Sequence, residues 1–379
     1  MNKISCILAT SVLMAGAAAC SDDEPQVLPA DYQEVGVSSA DAGNQAGFYM
    51  LNEGNMGANK ATLDFMDFGR SMYIRNLYPE RNPSVVMELG DTGNDLKIYD
   101  GRLYAVINGS HKVEVLDAAT GIRIGQVNIS NPRYIAFDGK YGYVSSYVGG
   151  IGDGGCVVRF DLATLDLAGS APAGLAPEEL VVAHGKIYVA NSVVYKGMDG
   201  TFDNTVSIID PATFTNIGSI EVAPNLHHLR ADAAGNLWVS SRGDYGAIPG
   251  SLLKLSADAE GNFSVAKTFD IPVTNFEIAG AKVYYYATTY DATWTPTLTY
   301  GTLNTTSGAD AGSFITDGTE SSITTPYAIA VHPDNGDIYI SDAKNYVSSG
   351  ALSCYSAAGK LKWKVTTGDI PGHIAFLPK

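Results

Sequence analysis

Gly185-Lys186-Ile187-Tyr188, Gly235-Asn236-Leu237-Trp238 and Gly336-Asp337-Ile338-Tyr339 repeat one pattern, a glycine turn running into a short apolar strand that carries an aromatic residue. Further copies are Gly101-Arg102-Leu103-Tyr104, Gly139-Lys140-Tyr141-Gly142-Tyr143 and Gly280-Ala281-Lys282-Val283-Tyr284, with a degenerate Gly47-Phe48-Tyr49 near the front. One such unit alone leaves an apolar face in water, so the units must stack. A period of about 40 to 50 residues with four strands per unit specifies blades. The chain therefore reads as all-β, a seven-bladed β-propeller.

Innermost strands are expected to begin near Asn94, Arg133, Glu178, His227, Thr274, Tyr327 and Gly372, at spacings of 39, 45, 49, 47, 53 and 45 residues. After Gly372 there is room for a single strand. Its partners must come from the front of the chain, Gly47 to Asn52, Ala61 to Phe68 and Ser71 to Tyr78, so the two termini share the closing blade. Such closure removes the open sheet edge that invites aggregation. Third strands end in Asp117-Ala118-Ala119-Thr120, Asp161-Leu162-Ala163-Thr164 and Asp210-Pro211-Ala212-Thr213. There the Asp side chain can accept backbone N–H bonds, a structural role. This turn resembles those of YncE-like seven-bladed surface propellers.

The first residues read as a targeting segment. A basic start, an apolar run from Ile4 to Ala19 and the small-residue stretch Ala17-Ala18-Ala19 before Cys20 give a signal peptide over 1–19, removed rather than membrane-spanning. Cys20 is the expected lipidation site. Ser21-Asp22-Asp23-Glu24 resembles the acidic export tag of Bacteroidetes surface lipoproteins, which implies the outer face of the outer membrane. Acyl chains, at about 0.8 kcal/mol per buried CH₂, would form the only membrane contact. Residues 20–45 are expected to be a flexible acidic tether and 46–379 the propeller.

A formal charge of −16, from 24 Lys and Arg against 40 Asp and Glu, excludes nucleic acid as an expected partner, since no basic cluster exists to neutralise phosphates. Cys156 and Cys354 fall four blades apart and are expected to be buried, unbridged thiols.

Comparing the repeats separates scaffold from site. The Gly-x-apolar-aromatic pattern recurs, whereas the residues opening the innermost strands differ from blade to blade: Asn94-Asp95, Arg133-Tyr134, Glu178-Glu179, His227-His228, Thr274-Asn275, Tyr327-Ala328 and Gly372-His373. In a propeller they ring the central funnel, on the same face as the loops joining second to third strands. Those loops contain Asn55, Tyr147, Tyr195, Phe202, Arg242, Tyr245, Tyr290, Trp294 and Tyr346, and Gly149, Gly150, Gly152, Gly154 and Gly155 would let backbone come close to a guest. The expected ligand pocket therefore comprises these aromatic loops with Asn55, Asn94, Arg133, Tyr134, Glu178, His227, Arg242, Asn275, Tyr327 and His373. It suits a broad, partly apolar molecule with amide or hydroxyl groups.

Phe48 to Asp67 and Asn76 to Asp95, above all Leu51-Asn52-Glu53-Gly54-Asn55 and Tyr78-Pro79-Glu80-Arg81-Asn82-Pro83, resemble the front of the BtuG family of surface lipoproteins. The resemblance implies capture of cobalamin and related corrinoids and docking over a TonB-dependent B12 transporter, with no catalysis and no resident metal or cofactor. Two alternatives stay open. A surface glycan-binding propeller would use the same aromatic platforms. A metal-dependent lyase or lactonase would need Glu178, Glu179, His228 and His373 to converge on a divalent ion. His111, His227, His228 and His373 are expected on the funnel side, with one able to ligate corrin cobalt, and His184 and His332 on the opposite end. No Gly-x-Ser-x-Gly, His-Glu-x-x-His or phosphate-loop pattern occurs.

Overall fold

A computed structural model of the chain describes residues 30–85, 88–147, 154–196 and 199–379. The signal peptide, Cys20, the acidic tag and Gly149, Gly150 and Gly152 lie outside the described residues.

The architecture is a seven-bladed propeller. Six blades follow in chain order, with innermost strands Gly93–Tyr99, Pro132–Asp138, Pro177–Ala183, Leu226–Ala231, Val273–Ala279 and Pro326–Val331. Each starts one residue before its expected position, within the tolerance of any strand boundary. In the seventh blade Pro371–Pro378 is innermost and pairs with Gln45–Asn52, followed by Thr62–Asp67 and Met72–Arg75, so the termini close the ring together.

Two features depart from the expectation. Residues 30–45 belong to the propeller rather than to a tether: Asp31–Glu34 pairs with Met72–Arg75 as a fifth strand, and Val35 and Ala42 are buried. The polar composition of this stretch concealed the binding, because Gln33 is held through its amide, donating to the Thr366 carbonyl and accepting from the Thr366 N–H. The fifth blade has three strands, Val273–Ala279, Lys282–Tyr290 and Pro296–Asn304. Where a fourth would lie, Phe314, Ile315 and Ile323 of an irregular segment pack on Tyr284 and Tyr300.

Second strands lie within the stack and are buried along most of their length. Leu103, Tyr104, Ala105, Val106 and Ile107 are all inaccessible, whereas the outermost strand Thr215–Glu221 is largely exposed. This gradient explains why the second strands carried the readable signal. Seven apolar clusters fill the described core, and each spans one inter-blade interface. One joins Val106 and Val115 of the first blade to Ile135 and Phe160 of the second; another closes the ring by joining Leu51 and Tyr78 to Leu96 and Leu103. Burial at roughly 25 cal/mol per Å² of apolar area makes these seams the main source of stability. Gly142 shows how tight they are, since a Cβ there would lie 2.4 Å from the Phe160 ring.

The Asp turns are structural, as expected: Asp117 Oδ1 accepts the Thr120 N–H at 2.9 Å and hydroxyl at 2.7 Å, and Asp161 accepts the Ala163 N–H at 2.8 Å. Cys156 and Cys354 are free thiols. Cys354 is buried as expected, and its thiol is pushed up by burial, but Cys156 is only partly covered because it opens a third strand near the blade rim.

Candidate functional site on the loop face

The innermost strands enter the ring from one face, so their first residues meet around the axis. Arg133 donates from Nε and Nη2 to Glu178 Oε2 at 3.1 and 2.9 Å, and from Nη1 to Asn94 Oδ1. Asn94 returns a bond from Nδ2 to the Arg133 carbonyl at 2.7 Å. The Tyr147 hydroxyl donates to Glu178 Oε1 at 2.5 Å. Tyr134 Oη and His227 Nε2 are hydrogen-bonded at 3.1 Å, and the Tyr134 ring stands edge-on to His227, His228 and His373. Across the axis Tyr327 donates to Glu53 Oε2 at 2.8 Å, His373 Nε2 lies 3.3 Å from Glu53 Oε1, and Asn275 Nδ2 donates to the Tyr327 carbonyl.

These groups close the funnel. Asn94, Tyr134, Glu178 and His227 are buried, and their polar atoms are consumed by one another. The expected axial pocket is therefore corrected: its residues form a hydrogen-bonded floor filled by the protein's own side chains. Buried polar and charged groups are stable only when paired, and on this ring the partners come from different blades. Burial pushes the Tyr134 hydroxyl far up and holds His227 well below its ordinary pKa, with nearby Arg242 adding to the effect. Burial together with Glu178 likewise raises Tyr147.

Beneath the floor lies a polar cavity of about 50 Å³ lined by Asp95, Lys97, Glu179, His228, Arg230, Asn275 and Glu277 among others. His228 Nδ1 meets Glu179 Oε2 at 2.9 Å. Burial opposes ionisation of Glu179, yet Arg230 and His228 overcome it and hold the carboxyl well below the usual range. The four residues of the metal-dependent alternative do not converge. Glu178 serves Arg133, Glu179 serves His228, and His373 serves Glu53. Among the described residues no group of three or more His, Cys, Asp or Glu is arranged to hold a metal ion.

Above the floor stands an open rim. Tyr195, Tyr245, Tyr290, Trp294 and Tyr346 are exposed at loop tips, Trp294 to 81%, and Met56, Ile248 and Val347 extend the apolar surface. Phe202, half-buried, lies 6.1 Å from Tyr245 by ring centroids, and Tyr290 lies 6.1 Å from Trp294. Asn55 donates to the Tyr346 carbonyl at 2.6 Å, fixing one loop against the next. Tyr245, Trp294 and Tyr346 all have left-handed backbone, with φ of 57°, 61° and 63°. A bulky residue there costs on the order of 1–2 kcal/mol that glycine would avoid. Three successive blades thus hold an aromatic ring toward water in a strained position.

Between the third and fourth blades the rim opens into a pocket of about 240 Å³, lined by Tyr147, Gly154, Ala176, Glu178, Ser192, Val193, Val194, Tyr195, Arg242 and Tyr245.

Of the expected site residues, then, Asn94, Arg133, Tyr134, Glu178, His227, Asn275, Tyr327 and His373 make the floor. Asn55, Tyr195, Phe202, Arg242, Tyr245, Tyr290, Trp294 and Tyr346 make the rim, and Tyr147 bridges the two. The sequence reading left out Glu53, which accepts from Tyr327 and faces His373; its place directly after the second strand of the closing blade was the available signal. The stretch Tyr78 to Pro83 is scaffold: Tyr78 is buried and donates to Glu114, and Asn82 Nδ2 bonds the Gly121 carbonyl.

A model of the family described as a domain of unknown function, DUF5074, matches residues 46–369. The chain belongs to the DUF5074 family. No curated protein matches it. Solved structures similar to this DUF5074 propeller include hydrazine synthase of Kuenenia stuttgartiensis, at TM-score 0.59 and 17% identity over 75% of this chain and 89% of that one. A quinonprotein alcohol dehydrogenase-like protein of Bacteroides thetaiotaomicron aligns at TM-score 0.57 and 16% identity, covering 88% and 79%. A functionally unknown protein of Desulfotomaculum acetoxidans aligns at TM-score 0.60 and 12% identity, covering 88% and 99%. At such identities the likeness carries the fold alone.

Proposed function

We propose that this DUF5074 propeller is a non-catalytic binding protein, anchored through lipidated Cys20 to the outer face of the outer membrane. In this reading it captures a corrinoid on its loop-tip rim and passes it to a TonB-dependent transporter. The observation that carries the binding role is the strained display of Tyr245, Trp294 and Tyr346 around one mouth. Solvated loops have no use for exposed rings in a conformation that disfavours them, whereas a guest that stacks on them does. A corrin is a wide ring with apolar faces and a fringe of amides, which suits aromatic tips interspersed with the polar side chains of Asn55 and Arg242. The closed floor lets such a ring rest across the rim rather than enter the channel. The resemblance of Leu51 to Asn55 and its neighbours to the BtuG family supports the corrinoid class.

Isothermal titration of cyanocobalamin into the purified chain tests this. Saturable one-to-one binding at micromolar or lower concentration is expected; no heat at those concentrations would overturn the corrinoid reading. A second reading, glycan capture, is favoured by the paired rings of Tyr290 and Trp294, which could stack on a sugar face. Binding on a glycan array together with silence toward cyanocobalamin would select it.

A further inference from the structure

Arg242 is the one cation among the described residues that line the pocket between the third and fourth blades. It is exposed and follows the strand Leu237–Ser241, and its backbone N–H is bound to the Asn225 carbonyl at 3.0 Å. Its Nη2 lies 3.0 Å from the nitrogens of the His227 ring. Burial keeps that imidazole neutral, so it neither adds to the positive charge nor offsets it. Among the described residues, the carboxylate that lines the pocket and the one in the Tyr245 loop are both committed. Glu178, which also lines the pocket, is held by Nε and Nη2 of Arg133 and by the Tyr147 hydroxyl. Asp244 Oδ1 accepts the backbone N–H groups of Gly246 and Ile248, each at 2.8 Å, and so shapes the Tyr245 loop. Among the described residues Arg242 forms no ion pair. On a chain of formal charge −16, the pocket thus carries one surplus cation beside Tyr147, Tyr195 and Tyr245.

We infer that the pocket between the third and fourth blades is an anion subsite, in which Arg242 takes the phosphodiester of the ligand while Tyr195 and Tyr245 flank it. A guanidinium presents a planar fork of donors that fits two phosphate oxygens, and tyrosine hydroxyls can donate to the others. The pocket sits off the axis, so the corrin could lie on the rim while its nucleotide arm reaches down. This inference rests on the corrinoid reading and deepens it: the protein should distinguish complete cobalamins, which carry a phosphodiester, from cobinamides, which lack one.

The test is calorimetric titration of cyanocobalamin and of dicyanocobinamide into the full chain and into R242Q and R242K, with thermal unfolding as the check that both variants fold. Charge-assisted hydrogen bonds are strong enough that R242Q should weaken cyanocobalamin at least about tenfold more than dicyanocobinamide, with R242K intermediate. Raising salt should weaken cyanocobalamin binding more than dicyanocobinamide binding. If both ligands bind the wild type and lose affinity equally in R242Q, the anion subsite is wrong and the corrinoid reading survives. If neither binds the wild type, both fall.

Discussion

Removing Arg133 tests whether the funnel is closed. Its side chain is 21% exposed and that of its partner Glu178 only 4%, and the two are joined by several hydrogen bonds, with Asn94 on the remaining arm. In Arg133→Ala the Glu178 carboxylate stays buried with the Tyr147 hydroxyl as its main partner. Truncating one member of a buried pair costs about 3–5 kcal/mol, and the solvent edge of Arg133 places this case near the lower end, about 3 kcal/mol. With an unfolding entropy on the order of 0.7 kcal/mol/K for a propeller of this length, the melting temperature should fall by about 4–5 °C. Replacing both residues by methionine removes the orphaned charge and should recover most of the loss. Guanidinium denaturation followed by tryptophan fluorescence measures all three variants. A loss below about 0.5 kcal/mol for Arg133→Ala, or a double variant as unstable as the single, would mean that water already fills the mouth and that the floor does not exist as described.

Trp294→Gly should leave stability unchanged or raise it by up to about 1 kcal/mol, because glycine relieves the left-handed backbone, while weakening the ligand severalfold; a loss of stability on melting would show that Trp294 serves packing. Acid should destabilise the protein through His227, whose folded pKa lies well below the 6.5 of a free imidazole. The unfolded chain takes up that proton first, so stability is full above pH 6.5 and falls as pH drops below it; melting curves between pH 7.5 and 5 should slope accordingly, and less steeply in His227→Gln. Gly142→Ala should cost about 1–3 kcal/mol in denaturant unfolding, because its Cβ would strike the Phe160 ring.

The propeller was legible because second strands such as Leu103 to Ile107 lie between two blades and so carry an unbroken apolar signal next to a glycine turn. The fifth strand of the closing blade was not, since Asp31 to Glu34 is a polar edge held by backbone pairing and by the Gln33 amide. The blade-to-blade variation at Asn94, Arg133, Glu178 and His227 correctly marked one face, but variation alone does not separate a cavity from a plug. Each of these residues finds its partner on another blade, as Arg133 does in Glu178 and Tyr134 in His227, and pairings 45 and 93 residues apart leave no trace in local sequence. The number of loop aromatics is legible in the sequence, whereas the left-handed backbone of Tyr245, Trp294 and Tyr346 is visible only in three dimensions.

The most direct measurement is a crystal structure of the chain with cyanocobalamin. The corrin is expected across the loop tips, touching Tyr245, Trp294 or Tyr346, with the Arg133 and Glu178 floor intact beneath it. Ligand on the opposite face, or none bound at saturating concentration, would contradict it.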